Sequence, residues 1–371
     1  NCRNLTGLPL EMLTQLPDIQ ALNIANNQNI PADRLKADWE AIINGSSGNR
    51  IQILYLGNNS LKEFPEYVLL SKMEKLGYIE CAYSQVETVH PFGGKINLAQ
   101  VILDHNKIRK IEPAPDGYFC GYEQMESFTA SYNELTEAPD IFNARSLYEF
   151  SEVDFSHNKI TGFANGSSHR GYNATTINLS YNNFSEFPSQ IFKAGSPCQY
   201  LIFAGNGIRE IKKGAFTGPK TYMLMSLDLS YNKLKELPSS DFYARNLPYL
   251  YGVDLSYNCF DYFPTEVLDG KGVTVFALRH QRDEEGNRTL KSWPTGLYAN
   301  CPSLQALYLA SNDIGKVGDT ITNQILILEL KDNPNITLNI SASACAYYQY
   351  GYMLFVYDKT QDIRGCPAML Q

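Results

Sequence analysis

The residues of this chain that could do chemistry are carboxylates, histidines and cysteines, and their spacing limits what that chemistry can be. Asp228 and Asp254 stand in two copies of one motif, LDLSYN and VDLSYN, which would set two carboxylates on neighbouring strands. Paired carboxylates can hydrolyse glycosides, one as acid and the other as base or nucleophile. That role needs one of them kept protonated by a pocket, whereas an open, solvated sheet is expected to leave both ionised. His105, His157 and His280 hold equivalent motif positions, separated by two to five copies, too far apart to converge on one metal. None of the 8 cysteines forms a C-x-x-C pair, so zinc-ribbon and thioredoxin-like readings fail. No G-x-S-x-G elbow, H-E-x-x-H helix, P-loop or G-x-G-x-x-G turn is present. The expectation is a protein without catalytic residues, cofactor or metal.

The bulk composition is that of a folded soluble protein. Of 371 residues, 44% are hydrophobic and 19% charged, which supplies a large core and excludes a disordered chain. The net charge is −8, and no dense Lys/Arg run exists to hold nucleic acid or an anionic membrane. No apolar run reaches the eighteen or so residues that would make a transmembrane helix. The chain starts Asn1-Cys2 with neither Met nor a signal peptide, so it reads as processed or trimmed.

The elements that position these residues come from a repeat. INLSYNNF (177–184), LDLSYNKL (227–234) and VDLSYNCF (253–260) fit L-x-x-L-x-L-x-x-N-x-L. The asparagine slot is filled by Asn27, Asn59, Ser84, Asn106, Asn133, Asn158, Asn182, Asn206, Asn232, Asn258, Gln281, Asn312 and Asn333, at intervals of 21 to 32 residues. Such a period marks a solenoid. Alternation in L-x-L predicts a short strand with one buried face, stacked parallel on its neighbours. The slot amide offers donors and an acceptor, and Ser84 and Gln281 are expected as the weak positions, serine reaching less far and glutamine needing a distorted turn.

These residues resemble the leucine-rich repeat family over nearly the whole chain. Pro-bearing second halves, as in EFPSQIF (186–192), ELPSSDF (236–242) and YFPTEVL (262–268), are similar to the typical repeat class. The Tyr-rich copies and irregular spacers resemble secreted or surface leucine-rich repeat proteins of gut Bacteroidetes. The resemblance implies an α/β solenoid: a horseshoe of about 13 repeats with one parallel concave β-sheet and an irregular or short-helical convex side. Residues 1–335 would form the array, with an inserted helix at about 31–45 and a rim loop at 282–289. That loop is read either as a plain insertion with solvated charges or as a binding loop. The array starts mid-repeat, which suggests an upstream segment. Residues 336–371 leave the pattern and are expected to cap it, with strands at 336–340 and 353–357. Cys345 and Cys366 bracket this segment and could be bridged.

The resemblance places ligands on the concave face. The column before the asparagine slot holds Tyr132, His157, Tyr181, Tyr231, Tyr257 and His280, and the column three residues earlier in the chain holds Asp154, Asp228 and Asp254. Tyrosine combines a rigid ring with a polar tip at low entropy cost, and carboxylates beside it could accept bonds from sugar hydroxyls or pair with a basic partner. Stacked aromatic columns could equally stiffen the sheet with no ligand. The expected function is a non-enzymatic extracellular or cell-envelope module that binds protein or glycan. The competing reading is a structural spacer or adhesin segment of a longer surface protein.

Overall fold

The computed structural model describes residues 5–16, 18–45, 48–64, 72–90, 98–112, 125–140, 150–164, 171–192, 198–218, 221–242, 245–268 and 272–369. They fall into two compact units, residues 1–183 with 190–196, and residues 184–189 with 197–371.

Each unit repeats one device. The strand is three to five residues long, and its central apolar residue is buried while its flanks face out. In the first unit, strands Ala21–Asn23, Ile53–Tyr55, Tyr78–Glu80, Gln100–Ile102, Ser127–Thr129, Phe150–Asp154 and Ala174–Asn178 pair in that order, all parallel. The register sets Leu54, Ile79, Val101, Phe128, Val153 and Ile177 in one fully buried row. In the second unit the parallel strands are Tyr200–Ile202, Ser226–Asp228, Gly252–Asp254, Val275–Ala277, Ala306–Tyr308, Ile327–Glu329 and Leu354–Val356. No turn could bury its apolar edge alone; each is completed by its neighbours.

The asparagine slot holds the turns together. Asn133 donates from Nδ2 to Leu103 O (3.0 Å), Ala130 O (3.1 Å) and Ser131 O (3.0 Å), while its Oδ1 accepts from Ile108 N–H (2.9 Å). Asn158, Asn182, Asn232 and Asn258 repeat this pattern. Ser84 is a weak rung, reaching Ala82 O only at 3.5 Å. Gln281, expected to be weak, is instead fully buried and fully bonded. Its Nε2 donates to Leu255 O (3.0 Å) and Arg279 O (2.8 Å), and its Oε1 accepts from Phe260 N–H (3.1 Å). Its longer side chain keeps the carbonyl of the preceding turn and the one two residues back, and gives up the one three back that asparagine also reaches.

The elements between the strands are short. They include 3-10 turns Ser239–Phe242 and Thr265–Val267 and the helix Leu297–Asn300. Small parallel pairings supplement them, such as Thr88–Val89 with Lys110–Ile111, and Lys316–Ile321 with Thr337–Ile340 and Asp362–Arg364. Helix Ala32–Asn44 buries Leu35, Trp39, Ile42 and Ile43 along one face. Its buried Asp38 accepts Leu8 N–H at 2.7 Å and pairs with Arg34 at 2.9 Å.

Residues 336–369 carry one more turn of the repeat, where the sequence reading has 336–371 leaving it. Leu354–Val356 pairs with Ile327–Glu329, and buried Gln361 donates to Leu330 O at 2.8 Å, as a slot residue does. Within this turn, helix Ala342–Gln349 is capped by Ser341 Oγ, which accepts Ala344 N–H at 3.1 Å. A Cys345–Cys366 disulfide, with Cα atoms 5.3 Å apart, ties the helix to the segment just after strand Asp362–Arg364.

Candidate binding surface

The pentapeptide Asp228-Leu229-Ser230-Tyr231-Asn232 shows how each turn presents its exposed residues. The Asp228 carboxylate accepts the Ser230 N–H at 2.9 Å, closing a small loop at the strand end. Tyr231 follows in the left-handed region at φ 54°, and Asn232 then enters the ladder. The same bond recurs at Asn23, Glu80, Asp154, Asn178 and Asp254, each to the backbone N–H two residues on. Every residue of the column before the slot has positive φ, from 51° at His280 to 67° at Gly205.

The acidic column thus has a turn role beside the ligand role expected of it: one oxygen of Asp154, Asp228 and Asp254 closes the strand end, as asparagine does at Asn178. Asp154 also accepts Asn178 Nδ2 at 3.0 Å. Nor are the carboxylates all solvated: burial pushes the Asp254 carboxyl above the usual aspartate value, with the nearby Asp228 charge adding to it. Asp104 was not singled out by the sequence reading. It takes Ser131 N–H at 2.8 Å and Thr129 Oγ1 at 3.1 Å, and burial raises it too.

In the first unit the left-handed column is a continuous stack: Tyr83, His105, Tyr132, His157 and Tyr181, with centroids 4.0–4.4 Å apart and planes within 12°. In the second unit Tyr231, Tyr257 and His280 stack at 4.0 and 4.7 Å. Tyr132 and Tyr181 are each 46% exposed. Ring faces within a stack cover one another, so what such a row offers solvent is a line of edges: phenol hydroxyls and imidazole nitrogens. Burial lowers His157 and His280 below the ordinary histidine value, which keeps both rings neutral near pH 7. The sequence-predicted residues thus gather as two groups, Tyr132, Asp154, His157 and Tyr181 in the first unit, and Asp228, Tyr231, Asp254, Tyr257 and His280 in the second. Among the described residues, no group of three metal-ligating side chains is suitably placed.

The rim loop is built, not slack. Arg282 and Arg288 form an antiparallel bridge, and Asp283 Oδ1 accepts Glu285 N–H (3.0 Å) and Asn287 N–H (2.8 Å). Gly286 takes the positive φ of 86° that the turn requires. Arg288 is not solvated as expected. It donates to Asn312 O (2.7 Å), Asp332 O (2.8 Å) and Asp332 Oδ1 (2.6 Å), and it holds Asp332 below the usual carboxylate range. Glu284 reaches back to Arg209 at 3.2 Å. A pocket of about 460 Å³ lies between the loop and the turns beside it, lined by Arg209, Lys233, Tyr257, His280, Arg282 and Glu284 among others.

Parallel three-residue strands, a buried asparagine ladder and a left-handed residue before each rung define a leucine-rich repeat solenoid. Two family models agree: "Leucine Rich Repeat" matches residues 223–244, and "Leucine Rich repeat" matches residues 300–318. A leucine-rich repeat protein of Bacteroides eggerthii DSM 20697, known as a crystal structure, is 43% identical with a TM-score of 0.90; the match covers 100% of this chain and 61% of that one. One from Bacteroides thetaiotaomicron VPI-5482 is also 43% identical with a TM-score of 0.90, over 100% of this chain and 44% of that one. Lumican of Rattus norvegicus is 29% identical over 161 residues, 43% of this chain and 42% of lumican. The chain is a leucine-rich repeat protein, similar to those of Bacteroides, and spans less than two thirds of the length of each of these relatives.

Proposed function

We propose that this protein is a non-enzymatic binding module of the cell surface or envelope, and that it recognises a protein or glycan through the exposed face of its sheet. One observation carries the reading: large rings occupy backbone positions where the fold needs only left-handed geometry. Asn26, Asn58, Gly205 and Asp332 supply that geometry with residue types that tolerate it. A Tyr there costs about 1–2 kcal/mol, a His less, and each stacked pair returns about 0.5–1.5 kcal/mol. The rows therefore roughly break even in stability, and their use is sought in what their polar edges contact. The carboxylates that might have suggested hydrolysis are engaged in the turns. The Cys345–Cys366 disulfide supports an oxidising, extracytoplasmic setting. No described helix is long and apolar enough to cross a membrane.

The test is capture of ligands from glycan arrays and panels of surface proteins, using the intact chain and the triple variant Tyr132→Asn/His157→Asn/Tyr181→Asn. Asparagine keeps the left-handed turn and removes the rings. The expected outcome is specific capture by the parent that the variant loses. Equal capture by both would overturn the row as a binding surface.

A further inference from the structure

The rim-loop pocket brings groups of both charge signs into one small concave volume. Arg209, Lys233 and Arg282 bring three cations to it, and Asp283 and Glu284 bring two carboxylates. Lys233 makes no ion pair among the described residues. Arg209 pairs with Glu284, but each side chain is 63% exposed, and exposed pairs of this kind are weakly held. A ligand carboxylate could therefore take Arg209 in exchange. Arg282 is anchored by Nη1 to Gln281 O (3.0 Å) and Ser311 O (2.8 Å), within a guanidinium fork that carries five N–H groups in all.

The mixture discriminates between ligands. A phosphate cluster or sulfated polymer would meet Asp283 and Glu284 as like charges. A neutral sugar would leave Lys233 uncompensated. A single carboxylate on a ring bearing several hydroxyls satisfies both sides, because the acid meets the cations and the hydroxyls donate to the carboxylates. Neutral His280 can donate or accept beside them. Tyr257 and His280 stack on each other at 4.7 Å, so they offer edges for hydrogen bonds. The volume of about 460 Å³ falls within the roughly 300–1,000 Å³ of small-molecule sites.

We propose that this pocket binds an acidic sugar residue, its carboxylate held by Arg209, Lys233 and Arg282 and its hydroxyls by Glu284 and His280. The proposal deepens the binding-module reading and rests on it, but it uses none of the first unit's rings. The experiment is calorimetry or saturation-transfer NMR on the intact chain. The probes are methyl glucuronide, methyl galacturonide and N-acetylneuraminic acid, against methyl glucoside, methyl galactoside and a glutamate-rich tetrapeptide. At least one carboxylated sugar is expected to bind about tenfold or more tighter than the neutral sugars and the peptide. Arg209→Met/Lys233→Met, at exposed positions, should abolish that binding while leaving the melting temperature unchanged. Binding of no acidic sugar, equal binding of the neutral sugars or the peptide, or full affinity in the double variant would overturn it. If it fails while capture sensitive to the Tyr132, His157 and Tyr181 substitutions persists, only the pocket is lost; failure of both removes the binding-module reading as well.

Discussion

At the scale of single residues, the motif D-L-S-Y-N divides its labour: the acid closes the strand end, serine offers its N–H, tyrosine takes the left-handed bend, and asparagine joins the ladder. The burial-raised carboxyl of Asp254 has a measurable consequence. The folded protein holds that proton to higher pH than the unfolded chain does. The stability it contributes is therefore present below the ordinary aspartate value and lost as pH rises through the raised one. Asp254→Asn keeps an oxygen for Ser256 N–H, as Asn178 does for Ser180, and removes the titration. Its melting temperature at pH 7 should equal or exceed the parent's, with a flatter dependence on the acid side; a clear fall at pH 7 would refute this account. Ser84 offers the converse case. Its hydroxyl reaches one carbonyl at 3.5 Å where an asparagine reaches two or three at about 3 Å. Ser84→Asn should stabilise by about 1 kcal/mol in chemical denaturation, the value of an ordinary net hydrogen bond.

At the scale of elements, the strands and slots were legible because their signal is local: an alternating trio followed by a fixed polar position. The left-handed column was less visible. Its hint lay in the company Tyr and His keep there, since Asn26, Asn58, Gly205 and Asp332 are types that tolerate positive φ. The turn role of the aspartates went unread because a carboxylate on a strand looks the same whether it caps its own loop or faces a ligand. Gln281 was misjudged because reach depends on which carbonyl is offered, and spacing does not show that. The rim loop's pinning by Arg288 to Asn312 and Asp332 joins residues 24 and 44 positions apart, beyond any local pattern. The last turn is hidden in the sequence because a helix interrupts the approach to its strand. That turn depends on its crosslink: the disulfide closes a separation of 21 residues. Cys345→Ala/Cys366→Ala should cost about 3 kcal/mol by the loop-entropy relation, seen as loss of amide-exchange protection in Leu354–Val356. Unchanged protection would show that packing alone holds the strand.

At the scale of the whole molecule, stability in a stacked array is shared between neighbouring turns, so no single exposed ring should be needed for folding. The strongest rival to a binding surface is an aromatic spine whose purpose is rigidity, and the two differ in one number. Denaturant unfolding of the intact chain against Tyr132→Asn/His157→Asn/Tyr181→Asn measures it directly. Relieved backbone strain and lost stacking should nearly cancel, leaving the unfolding free energy within about 1 kcal/mol of the parent. A loss of several kcal/mol would show that the rings are there to hold the fold, and the claim that they exist for recognition would fall.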